Sequence, residues 1–258
     1  MQNLLQDIIV NNIFSFLLIF LRFGVALIIM PGIGDTFVSP TIRLLFGIAV
    51  SFVLTPVLSA HLPAIPSNNV ALIMLMLSEL MIGIFIGTVM RILISALDTA
   101  GTIVSVQAGL STATMFNATT DSQAPVMSAV YSSLGVTLIF ATNMDHQMLA
   151  AIVNSYSLFP AGGAFPDIGS MSEVITRVTS LAFRVGVQIT LPFLVVGTLL
   201  QLGLGVLGRL MPQLQIFFVA LPVQILLSLL ILVMTMSAGV MYWLSTYGNV
   251  LSNSLIPQ

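Results

Sequence analysis

The chain has 258 residues, of which 58% are hydrophobic and only 5% charged. Soluble domains carry roughly 25% charged residues, so this composition excludes an ordinary soluble domain. The net charge of -2 leaves no basic footprint for nucleic acid, and the lack of Cys excludes disulfides, thiolate metal sites and thiol catalysis.

A membrane span needs about 20 mostly apolar residues, and runs of that kind are interrupted by few charges. The N-terminal "MQNLLQDIIVNN" has no positive region and carries Asp7, so it reads as retained rather than as a cleaved signal peptide. Residues 8–30 form the first candidate span, with Arg22 its one charge. The Pro/Gly turn "PGIGDTFVSPTIR" (31–43) leads to a short second span at 44–60. The loop "HLPAIPSNN" (61–69) precedes a third at 70–97, which carries Glu79 and Arg91. A fourth span covers 126–144 and runs on to about 155. After the loop "YSLFPAGGAFPDIGSMS" (156–172), a fifth covers 185–207, with a possible start near 172. A sixth covers 214–244. Nothing beyond Arg209 is charged. These runs are too long and too continuously apolar for the alternating ten-residue strands of a membrane barrel. The expected fold is an all-α integral membrane protein with about six hydrophobic helical segments in one membrane-embedded domain. Arg43, Arg91 and Arg209 near the odd-numbered loops place the N-terminus outside by the positive-inside rule, and Arg177 and Arg184 vote the other way.

Several patterns carry no chemistry in this setting. "GLGVLG" (203–208) fits a dinucleotide motif but lies in an apolar run with no acidic residue downstream. "PGIGD" (31–35) resembles an intramembrane aspartyl protease motif, but the only upstream carboxylate is Asp7, and that chemistry needs two acids sharing a proton. His61 and His146 have no metal-binding context, and Asn117 to Thr119 is a glycosylation triplet by pattern only. No catalytic residue, metal site or cofactor is expected, and the chain does not read as an enzyme.

Three stretches are more specific. In "SELMIGIFIGTVMR" (78–91), Glu79, Gly83, Gly87 and Arg91 are spaced by four and form one helical stripe. Gly83 and Gly87 let another helix approach closely. Glu79 and Arg91 lie about 18 Å apart along a helix, so they cannot pair with each other. A charge at membrane depth costs at least about 2.5 kcal/mol, so each needs a contact on another helix or subunit. Arg43 and Arg209 read as interfacial snorkelling residues. From Asp98 to Gln123, Ala, Gly, Ser and Thr dominate, with Gln107 and Gly109 in the middle. Irregular backbone at membrane depth is tolerated only where protein buries it or water bathes it. This segment therefore reads either as lining an aqueous cavity or as a surface loop. After Leu110, Met115 and Phe116 are its bulky apolar side chains. In "GRLMPQLQIFFVALPVQ" (208–224), Pro212 fits a helix start, while Pro222 implies a kink or break. Gln213, Gln215 and Gln224 need hydrogen-bond partners or interfacial water.

Taken in order, the early Pro31, Gly32, Pro40 and Arg43, the Glu79/Gly83/Gly87 stripe, "AGTIVSVQAGLSTATMFN" and "RLMPQLQIFFVALPVQ" resemble the FliR family. This is the export-gate subunit of the flagellar type III secretion system, with the SctT family its injectisome counterpart. Gln215 stands where the family often has Asn. The resemblance covers essentially the whole chain and leans to the flagellar branch. It implies long tilted hairpins in a helical export gate, with a FliP-like part at about 1–170 and a FliQ-like part at about 171–258. One copy would join several copies of FliP and FliQ homologues in the bacterial inner membrane, at the flagellar basal body, with an FlhB homologue at the cytoplasmic entrance. Unfolded flagellar proteins would pass through the pore. The resemblance implies that residues 109–123 project into that pore, with Gly109, Leu110, Met115, Phe116 and Asn117 as the plug loop. It makes Glu79, Gly83, Gly87, Arg91, Gln107, Arg209, Pro212, Gln213, Phe217 and Pro222 candidate helix-packing and inter-subunit residues. The competing readings are a small-solute secondary transporter, which needs inverted repeats, and an intramembrane enzyme, which lacks a catalytic pair.

Overall fold

The computed structural model describes residues 2–110, 125–163, 165–211 and 216–255. Among these there are seven α-helices, one 3-10 turn and no strand. They are α1 (Gln2–Ile29), α2 (Pro40–Leu58), the turn Ser59–His61, α3 (Asn69–Gln107), α4 (Val126–Ala141), α5 (Met144–Leu158), α6 (Ile168–Leu210) and α7 (Ile216–Leu255). Five helices are long and apolar enough to cross a membrane, or six spans if α4 and α5 count as one broken span.

Several boundaries differ from the sequence reading, four of them with a clear physical reason or consequence. Helix α3 continues ten residues past 97, because Ala, Gly, Ser and Thr there permit close helix packing rather than ending the helix. The Thr99 and Thr102 hydroxyls donate back to the carbonyls of Ser95 and Asp98, one turn earlier, so they need no water. The fourth span is two helices, parted at Asn143, whose φ of 56° is left-handed and cannot continue a right-handed helix. Helix α6 takes the earlier of the two starts, and α7 runs to Leu255. Pro222 lies inside α7 without breaking it. A proline removes one backbone N–H, which the neighbouring turns of a 40-residue helix outweigh.

The described residues fall into two compact units. One lies within Met1–Leu93, Thr142–Val178 and Gly248–Gln258, the other within Ile94–Ala141 and Thr179–Tyr247. In the first, α1 and the start of α3 pack around Phe14, Leu18 and Leu75, with Leu62, Leu72 and Met76 against them, and Gly47 of α2 approaches α1, where its would-be Cβ lies 3.6 Å from the Gly24 Cα. Helix α2 begins at Ser39, whose hydroxyl accepts from the Ile42 amide, with Pro40 at the first helical position. In the second unit Trp243 and Tyr247 lie with ring centroids 5.3 Å apart. Gly135 of α4 packs against Leu97 of α3 and lies 3.6 Å, by its would-be Cβ, from Trp243.

Candidate functional site

The stripe on α3 faces α1, and the reason is the absence of side chains at its two glycines. A Cβ at Gly83 would run into the Arg22 carbonyl oxygen, and one at Gly87 would lie 2.8 Å from the Ile29 Cβ and 3.0 Å from the Ala26 carbonyl. Backbones this close are what small residues at four-residue spacing permit. Glu79, one turn earlier, is thereby carried to Arg22. The guanidinium grips both carboxylate oxygens, Nε to Oε2 at 2.6 Å and Nη2 to Oε1 at 2.9 Å, and both side chains are fully buried. Two of its remaining donors reach the Ser155 hydroxyl at 3.1 Å and the Phe159 carbonyl at 2.9 Å. The Tyr156 ring lies under the guanidinium, 3.8 Å from its carbon to the ring centroid. A bidentate pair with further hydrogen bonds and a cation–π contact is the arrangement in which a buried charge is tolerated. The cluster ties α1, α3 and α5 together.

Arg91, at the other end of the stripe, pairs with Asp35 in the turn after α1. The second Asp35 oxygen accepts from the Gly32 amide at 2.8 Å, and Gly32 has a φ of 87°. Asp35, read in sequence as part of a protease-like motif, is therefore occupied in holding a turn. Arg43 closes the same turn, donating to the carbonyls of Gly34, Asp35 and Val38. It is a local clamp on its own backbone rather than a side chain extended to an interface.

The base of the Gly/Ser/Thr-rich segment lies in the second unit. Gly101 of α3 packs on α4, where a Cβ would lie 2.6 Å from the Met127 carbonyl. Helix α3 ends at Gln107, and the chain turns at Gly109 with a φ of 73°. Here Gly is needed, since other residues pay heavily in the left-handed region. The Gln107 carbonyl accepts from Gln224 Nε2 of α7 at 2.6 Å. The Gln107 side-chain oxygen is buried, with no hydrogen-bond partner among the described residues, and faces Gly197 of α6. Leu110 is half-buried, Arg209 is exposed in the last turn of α6, and Pro222 is exposed on α7. Phe217 lies on the backbone of α7. Met115, Phe116, Asn117, Pro212 and Gln213, together with the side chain of Phe217, lie outside the described residues.

Sequence reasoning missed the roles of Arg22, Asp35, Ser155, Tyr156 and Gln224. Two of them had a signal: Arg22 as the single charge in the first span, and Gln224 as an amide in an apolar run that needs a partner or interfacial water. The others are ordinary polar residues whose partners are distant in sequence, such as the 57 residues between Arg22 and Glu79. Among the described residues no group of His, Cys, Asp and Glu could hold a metal ion.

Long apolar helices, glycine-mediated crossings and a satisfied buried ion pair define a polytopic α-helical membrane protein. The chain belongs to the bacterial export proteins, family 1, whose model matches residues 13–250. It is 36% identical over 234 residues to the flagellar biosynthetic protein FliR of Caulobacter vibrioides, covering 91% of this chain and 93% of that one. It is 26% identical to FliR of Bacillus subtilis, over 86% of each chain. It is also 26% identical to Yop proteins translocation protein T of Yersinia pestis, over 89% of this chain and 88% of that one.

Proposed function

We propose that this chain is a subunit of the type III protein export gate, in its flagellar form, and that it helps form the pore through which unfolded flagellar proteins cross the bacterial inner membrane. The observation that carries this reading is the family match across 13–250, together with a FliR relative aligned over nine-tenths of both chains. The flagellar branch is favoured because that relative is 36% identical, against 26% for the injectisome relative. In this reading the chain acts by shape and not by catalysis. It assembles with FliP and FliQ homologues, its residues 1–170 corresponding to the first and 171–258 to the second, and an FlhB homologue sits at the entrance.

Residues 109–123 serve as the plug of the closed pore, with Met115 and Phe116 its seal. An idle secretion pore must hold back ions, and an apolar constriction does so by excluding water. A thioether adapts to an irregular gap, and Gly109 supplies a turn from which such a segment can leave the helix. Deleting residues 112–120 in the assembled complex tests the reading. Ion leak across cells or proteoliposomes, with assembly intact, is the expected result. A tight complex that still secretes would reduce the segment to a passive loop.

A further inference from the structure

We propose that Arg184, Gln188 and Tyr242 form an interfacial site for the phosphodiester of an anionic phospholipid, which sets the bilayer surface across the α6–α7 pair at this level. The inference concerns how the chain sits in lipid and does not depend on the plug.

The two helices are held in register here. A Cβ at Gly239 of α7 would lie 2.9 Å from Ile189 Cγ2 of α6, and the Tyr242 hydroxyl donates to Gln188 Oε1 at 2.7 Å. Arg184, Gln188 and Tyr242 are all exposed. At this level the exposed side chains change character on both helices. Before it, α6 exposes Thr176, Arg177, Thr179 and Ser180; after it, Leu191, Val195, Leu199 and Leu202. Of the polar side chains exposed beyond it, Thr198 donates back to the Leu194 carbonyl, and Gln201 lies about two turns from Arg209, toward the other surface. On α7 the order reverses: Leu226, Leu230, Val233 and Met234 are exposed before Tyr242, and Ser245 and Asn249 after it. No residue between Arg184 and Arg209 is charged, and the helix between them is about 37 Å long. That length fits a hydrocarbon core of about 30 Å with one Arg at each headgroup level. A Tyr with its ring toward lipid and its hydroxyl bonded belongs at the same boundary. Charge selects the ligand. Arg177 is paired with Glu173 at 3.0 Å, whereas Arg184 has no acidic partner among the described residues, and the sequence holds no acid after Glu173. Gln188 gives its oxygen to Tyr242, so its amide N–H groups remain as donors beside Arg184, four residues away on one helical face. A guanidinium fork with a neighbouring amide suits a phosphate oxygen pair, and the uncompensated cation favours a lipid of net negative charge.

The experiment uses the full chain in the assembled export complex. Native mass spectrometry during titration with phosphatidylglycerol reads how many lipids are held and at what concentration. Arg184→Gln should lose one bound lipid, or need about fivefold more lipid to hold it, the ordinary worth of one interfacial Arg. Tyr242→Phe should weaken binding less, and Arg177→Gln should match wild type. Phosphatidylcholine and inorganic phosphate serve as the other two arms. Equal retention of phosphatidylglycerol by wild type and Arg184→Gln overturns the site. Equal retention of phosphatidylcholine overturns the charge selection, and displacement of the lipid by millimolar inorganic phosphate makes this a site for the free anion and overturns the lipid assignment. Should Arg184→Gln fail to assemble, depth is measured without it. The chain has no Cys, so Ser180→Cys, Leu199→Cys, Val233→Cys and Ser245→Cys each introduce one. In opened membranes carrying the complex, a membrane-impermeant maleimide should label positions 180 and 245 and spare 199 and 233. Any other pattern moves the bilayer surface away from Arg184 and overturns the proposal.

Discussion

The guanidinium of Arg22 has four of its five N–H groups bonded inside the protein and a ring beneath it. Removing its counter-charge would strand a cation among apolar side chains. Glu79→Ala is expected to cost about 3–5 kcal/mol, read as a lower unfolding midpoint in detergent and reduced accumulation in the membrane. The double change Arg22→Met with Glu79→Leu should recover most of that loss, because an apolar pair of similar volume needs no desolvation. A double variant as unstable as the single one would show that the ion pair itself, and not the stranded charge, matters. Asp167 behaves differently because it is exposed. Its carboxylate accepts from the Ser170 hydroxyl and from the Ser170 and Gly169 amides at the start of α6, and these bonds hold its pKa below the ordinary value, the Ser170 side chain most of all. A depressed folded pKa means the stabilisation is present above the unfolded value, about 3.9, and is lost as pH falls through the folded one. Amide exchange at Gly169 and Ser170 should therefore be flat from neutral pH to about 5, after correction for intrinsic rates, and rise below the ordinary Asp range. Asp167→Asn should weaken this pH dependence.

At the level of elements, the crossing of α1 and α3 depends on two missing side chains. A Cβ at Gly83 meets backbone, which cannot rotate away, so the helices must part. Gly83→Ala is expected to destabilise by about 1–3 kcal/mol, the usual cost of overpacking. The larger Gly83→Val should also separate Glu79 from Arg22 and lower expression further. By contrast, Gly203→Ala and Gly205→Ala on α6 should be close to neutral, since nothing lies within 4 Å of either added Cβ. Thermal unfolding of the four variants in one detergent checks the order. The four-residue spacing of this stripe was legible in the sequence, because helical period and glycine identity are local. The partners Arg22 and Asp35 were not, because only the folded hairpin brings residues 57 and 56 positions away to the stripe. The end of α3 was misread for a related reason. Small polar residues are poor helix formers alone, and in 98–107 their close packing against α4, at Gly101 above all, decides the matter.

For the whole molecule, the exposed faces set the prediction. Phe52, Val233 and Met234 are 72%, 82% and 75% exposed within candidate spans, and the C-terminal 49 residues hold no charge. Such surface needs lipid or neighbouring helices around it. As an export-gate subunit, the chain expressed alone is expected to accumulate poorly and unfold early in detergent, and co-expression of FliP and FliQ homologues to raise both its amount and its stability. A chain that purifies alone as a small, stable oligomer and binds a solute would favour the transporter reading instead. Quantifying the tagged chain with and without the partners distinguishes the two.

Composition by itself determined that this is a membrane protein, because 5% charged residues cannot cover a soluble surface, and the long continuous apolar runs made it helical. Apolar run lengths placed the spans, since bilayer thickness fixes how many residues a helix needs. The ordered motifs pointed to the export-protein family. Tertiary structure alone decided the rest. It chose Arg22 as the partner of Glu79, put Asp35 on Arg91 rather than in a catalytic pair, split the fourth span at Asn143, and set Gln224 on the last carbonyl of α3. Each of these joins residues distant in sequence or settles a local conformation by packing, and no helical period or composition encodes which distant group will satisfy a buried charge or an orphaned carbonyl.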